Sequence, residues 1–117
     1  MDTIYHIIER AEWEQARAAG VYRPASLTED GFIHAGYADQ VLDVANGLFP
    51  GAQGLVILVI DPARVTTAIR EDVVEFPPGT VARHPHFYGP LNVDAVVRVV
   101  DFPPQADGTF RLPPGLR

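Results

Sequence analysis

Residues 54–60, GLVILVI, limit the fold more than any other stretch of the chain. The run is continuous and apolar, too short to cross a bilayer, and has no polar side to offer to water. It reads as a strand covered on both faces, closed by Asp61-Pro62. The clearest helix precedes it. Over 37–49, Val41, Leu42, Val44, Ala45, Leu48 and Phe49 form one apolar stripe, and Pro50-Gly51 ends it. Earlier, TIYHII at 3–8 reads as a strand with Ile4, His6 and Ile8 on one face. Residues 10–19 are good helix formers, with Trp13 turned to the core and Gly20 as the stop.

The stretches between are shorter or mixed. Residues 21–30 predict an ordered loop in which Ser26 caps or braces the chain. GFIHA at 31–35 predicts a strand with Phe32 and His34 on one face. Residues 65–76 predict two short strands around Arg70-Glu71-Asp72, and 95–102 a further strand. From Pro103 the chain is a peripheral extended tail, with TFRL at 109–112 as a possible last strand. Length and order together predict a single domain over 1–117 of the α+β class, with two N-terminal helices on a mixed or antiparallel sheet.

Composition removes several chemistries. The net charge is −6 and the basic residues are all arginine, which disfavours general nucleic-acid binding and excludes lysine Schiff bases. The absence of cysteine removes disulfides, thiolate nucleophiles and cysteine metal ligands. No basic segment leads into a long apolar run at the start of the sequence, so a soluble cytoplasmic protein without membrane partners is expected.

Polar chemistry gathers at 83–91, RHPHFYGPL. Two prolines predict an edge strand or a rigid loop, and an extended chain would point His84, His86 and Tyr88 one way. His6 and His34 sit in the two early strands, so three distant imidazoles could share one pocket; each could equally be a satisfied core residue. His84 and His86 with a third imidazole could ligate zinc. The chain lacks an H-E-x-x-H pair, and no metal is expected. Glu71, Asp72 and Glu75 read as solvated charges, with Glu75 able to face a cleft beside Phe76. Tyr22 and Tyr88 could stack on a flat ring or pack at the sheet rim.

IYHI at 4–7, a Trp in the next helix, SLxxDGFIHA at 26–35 and HFYGPL at 86–91 together resemble a bacterial family catalogued as domain-of-unknown-function family 952. The resemblance spans nearly the whole chain. Here His84-Pro85-His86-Phe87 stands where the family usually has Phe-Pro-His-Leu, and Gly36 stands where it often has Ser. The resemblance implies an ADP-ribosyltransferase-like fold, in which a split sheet holds NAD in a cleft. It implies that Tyr5-His6 meets a ribose hydroxyl, that His34 lies near the nicotinamide, and that His86 takes the place of a catalytic glutamate. The expected site is therefore His34 and His86 as catalytic residues, with His6, Tyr22, Ser26 and Tyr88 binding the ligand. NAD or a related nucleotide would be the substrate, and the activity an ADP-ribosyl or related transfer. A non-catalytic binding module with a polar core is the alternative, and a zinc-dependent hydrolase the third.

Overall fold

The computed structural model describes residues 1–116. In chain order it contains β1 (Ile4–Glu9), α1 (Arg10–Ala19), β2 (Val21–Tyr22), α2 (Ser26–Glu29), β3 (Ile33–His34) and α3 (Val41–Leu48). The second half contains β4 (Leu55–Ile60), β5 (Ile69–Glu75), β6 (Val81–Phe87), β7 (Leu91–Asn92) and β8 (Val96–Asp101). Every strand pairing is antiparallel, in three small sheets ordered β1-β4-β8, β2-β7 and β3-β6-β5. The class is α+β. No helix among the described residues is long and apolar enough to cross a membrane.

β4 is the doubly covered strand expected of GLVILVI; it takes the middle of its sheet, and all six of its residues are buried. Its two-residue period divides the core. Val56, Leu58 and Ile60 meet Ile4, Ile8, Trp13 and Ala16, so α1 covers that face. Leu55, Ile57 and Val59 meet Tyr5, Val41 and Ala45, so α3 covers the other. At roughly 1.5–3 kcal/mol per buried aliphatic side chain, these six residues contribute a gross stabilisation on the order of 10 kcal/mol. α1 ends at Gly20 with φ +83°, where the glycine N–H returns to the Ala16 carbonyl at 2.9 Å.

Several local expectations are corrected. The loop at 21–30 contains the single-turn helix α2, so three helices replace two. GFIHA shortens to Ile33–His34, and α3 begins only at Val41 because Tyr37–Gln40 form a turn held by the Gln40 side chain on the Tyr37 N–H. Residues 65–76 hold one strand, Ile69–Glu75. TFRL is no strand. The turn closes on itself through Gln105 N–H to the Thr109 carbonyl, and the Phe110 N–H donates to the Asn46 side chain at the end of α3. Those bonds draw the tail onto the second core, where Phe110 and Leu116 are buried.

The largest correction concerns 83–91. β6 is the middle strand of β3-β6-β5, not an edge. Pro85 is tolerated because β3 touches β6 only through Ile33–Phe87 and His34–His86. After His34 the chain leaves β6, and Gly36 pairs instead with Tyr5 of β1. Around Pro85 the strand is therefore flanked by β5 alone, through Glu71.

The turn after β6 depends on a close approach. A Cβ at Gly89 would lie 2.1 Å from Thr67 Oγ1. Gly89→Ala should destabilise the protein by about 1–3 kcal/mol in urea denaturation. Combining it with Thr67→Ala, which removes the obstructing hydroxyl, should recover most of that loss.

Candidate functional site

Alternation along the strands decides which side chains meet. Ile33 of β3 and Phe87 of β6 point into the first core. Their neighbours Phe32, His34, His84 and His86 must then point the other way. There they line a cleft of about 500 Å³, bounded by Tyr5, His6 and Ile7 of β1, by α3, and by Val74 to Phe76 at the end of β5. All four histidines line it. The three imidazoles expected to converge, His6, His34 and His86, do so.

The His34–His86 pairing brings the two rings edge to face at 5.4 Å. Phe32 stacks on His86 with centroids 4.2 Å apart and planes 14° from parallel, and also meets His34 and Tyr88. His86 is 3% exposed. Its Nδ1–H donates to Asp72 Oδ2 at 2.8 Å, and the Tyr88 hydroxyl donates to the same oxygen. That bond sets the tautomer, and Nε2 remains as the lone-pair nitrogen available to the cleft. His34 uses Nε2–H on Asp30 Oδ2 at 2.9 Å. Arg70, opposite His86 in the β5–β6 ladder, lies over the Tyr88 ring at 4.9 Å.

His6 has a different task. Its Nδ1–H donates to the His34 carbonyl at 2.6 Å, and its Nε2 accepts from the Tyr22 hydroxyl at 3.0 Å. Both nitrogens are occupied, so His6 ties β1 to β3 and has no free atom for a ribose hydroxyl. Tyr22 is 5% exposed and serves the cleft by holding His6. Tyr88 serves it by holding Asp72. Ser26 opens α2, where its carbonyl accepts from the N–H groups of Asp30 and Gly31, and it does not reach the cleft lining.

Burial favours the neutral form of His6, His84 and His86. It pushes His6 down to about 4, against the partial support of the His34 carbonyl. Burial also lowers His84, opposed by the Ala35 carbonyl, and lowers His86, opposed by Asp72. Asp72 is itself held below the usual carboxylate range by the Tyr88 and His86 hydrogen bonds, and it raises Tyr88 in return. Burial and then the Glu12 charge push Tyr22 up. At neutral pH His6, His84 and His86 are therefore uncharged, and the open nitrogen of His86 is aimed by a carboxylate.

Of the three acids read as solvated charges, Glu71 and Glu75 are exposed and Glu75 faces the cleft as expected, whereas Asp72 departs from the reading. Asp72 orients His86, and Asp30 holds His34. Glu71 accepts the Tyr37 hydroxyl. Glu75 borders the cleft, but its carboxylate accepts the Gly79 N–H at 2.9 Å and braces the β5–β6 turn. Asp72 was invisible because only the β5–β6 register brings it to His86. Phe32 gave a signal in sharing a face with His34. Among the described residues, no three His, Cys, Asp or Glu side chains are grouped so as to hold a metal.

The His6 shift carries a sign. The unfolded chain binds its proton near pH 6.5 and the folded chain only near 4, so stability is complete above 6.5 and falls as pH drops through that window. The His6 share is about 3 kcal/mol across the whole window, and His84 and His86 act in the same direction. In urea titrations across pH 4 to 7, His6→Gln should flatten the stability slope by about one proton. A separate test addresses Asp72. Asp72→Asn removes the group that raises His86, so the His86 Cε1–H resonance should titrate at lower pH than in the parent protein.

A family model described as "Protein of unknown function (DUF952)" matches residues 7–99. The crystal structure of protein CC0527 from Caulobacter crescentus is 35% identical, with a TM-score of 0.82 over 95% of each chain. A double mutant of that protein gives a TM-score of 0.81 at the same identity and coverage. Its solution NMR structure is 36% identical, with a TM-score of 0.73 over 96% of this chain and 94% of that one. No curated protein matches. With four-fifths of its length under the family model and the same fold in a relative over a third identical, the chain belongs to the DUF952 family.

Proposed function

We propose that the cleft binds NAD or a related nucleotide by its flat, ribosylated end, and that the fold is used in the manner of the ADP-ribosyltransferase-like proteins. The observation that carries this is the convergence of His34, His86 and Phe32 on one cleft, with His86 Nε2 free and aimed by Asp72. The volume suits a small-molecule site. Phe32 and His86 offer faces on which a nicotinamide-like ring stacks. The free imidazole nitrogens accept from ribose hydroxyls. Among the described residues no arginine or lysine lines the cleft itself, so the phosphates would lie at the rim, where Arg70 flanks His86.

The transfer follows from the same groups. The bond between the nicotinamide nitrogen and ribose C1′ breaks, and its electron pair leaves with the ring. An acceptor hydroxyl oxygen bonds to C1′, and its proton passes to His86 Nε2. Asp72 stabilises the imidazolium so formed. His6 and Tyr22 position the β3 backbone rather than touch the ligand.

A second reading, a binding module without turnover, is favoured by the commitment of both nearby carboxylates. Asp72 is engaged by His86 and Tyr88, and Glu75 by Gly79, so neither is free to stabilise an oxocarbenium ion. Amide NMR titration with NAD and ADP-ribose separates the cases. Shifts are expected at Phe32–Gly36 and His84–Tyr88, and His86→Ala should weaken binding about tenfold, near 1.4 kcal/mol. No shift at millimolar ligand rejects the nucleotide site. Binding without nicotinamide release selects the second reading.

A further inference from the structure

The cleft is divided along its length. Arg70 stands opposite His86, Asp72 opposite His84 and Val74 opposite Ala82. Strand rise places Val74 about 13 Å from Arg70, well away from the free nitrogen of His86. At that far end the lining is mostly hydrocarbon: Val44, Leu48 and Phe49 from α3 and its C-cap, and Val74 and Phe76 from the hairpin, with Glu75 the one charged residue among them and its carboxylate turned to the Gly79 N–H. Phe76 lies so tightly on α3 that a Cβ at Gly47 would be 2.5 Å from its Cζ. That contact joins the hairpin end to the helix and builds a wall over the compartment. Leu48, 62% exposed, stands at its rim.

We propose that this compartment binds the hydrocarbon body of a small neutral amphiphile, whose hydroxyl sits at His86. A peptide helix, about 10–12 Å across, needs an open groove rather than a cleft of about 500 Å³. An anionic head group is disfavoured, because among the described residues no arginine or lysine lines the cleft and burial favours the neutral form of His6, His84 and His86. A neutral head finds a lone pair at His86 and two aromatic faces. The amphiphile's role as acceptor rests on the transferase reading above; its binding does not.

Normal alkan-1-ols from butanol to decanol, titrated into the full chain and followed by amide NMR, test the proposal. Shifts are expected at Val44, Gly47, Leu48, Val74 and Phe76. Affinity should rise about fourfold per added methylene and flatten once the chain outgrows the compartment. Octanol should bind more tightly than octanoate. Leu48→Gln, an exposed change that leaves the core intact, should weaken octanol several-fold. Gly47→Ala should do the same by displacing Phe76. Affinity independent of chain length, equal binding of octanoate, or shifts centred on exposed Val73 and Val81 would overturn the proposal. Alkanol binding without NAD binding leaves it standing and removes only the nucleotide reading. NAD binding without alkanol binding does the reverse.

Discussion

Two backbone hydrogen bonds organise the molecule. The Tyr5 N–H donates to the Gly36 carbonyl at 2.8 Å, and the Gly36 N–H to the Tyr5 carbonyl at 2.9 Å. They join the β1-β4-β8 sheet to the chain leaving β3, and so fix where the two small sheets meet. The cleft is the space this junction leaves. His6 reinforces it one residue away by donating to the His34 carbonyl. The same chain segment that ends β3 therefore sets both the depth of the cleft and the position of His34.

The site is stabilised from behind rather than from within. Tyr22 supports His6, Asp72 and Tyr88 support His86, and Asp30 supports His34. Each imidazole keeps a hydrogen-bond partner, and among the described residues no buried side-chain polar atom lacks one. Satisfying these groups offsets the cost of placing four histidines beside an apolar core. It also leaves few free atoms: His86 and His34 each keep one nitrogen open because the other is engaged by a carboxylate. A ring with one tethered nitrogen and one open one is suited to receive a proton or a hydroxyl, which is why His86 rather than His6 carries the chemistry proposed here.

Much of this architecture could be read from residue order. GLVILVI reads as a doubly covered strand because no face of it tolerates water, and it is one. The helix at 10–19 and the stop at Gly20 follow from local preference and from the φ only glycine adopts cheaply. The histidines of β3 and β6 could be suspected of sharing a face. Their acids could not be read. Asp72 and Glu75 lie three residues apart in one strand with similar flanks, yet one aims an imidazole and the other braces a turn. The difference lies in the hairpin register, which no local pattern encodes.

The sequence by itself determined the periodicities: the two faces of β4, the apolar stripe of α3, the α+β class, and the clustering of histidine with aromatic residues. These are local quantities, fixed by side-chain polarity and backbone preference over a few residues. Only the tertiary structure decided that 83–87 runs through the middle of a sheet, that Ser26 stays away from the cleft, and which carboxylate meets which histidine. Such choices depend on pairings between segments far apart in the chain, Tyr5 with Gly36 and His34 with His86 foremost. Their free energies are realised only when the whole molecule has closed.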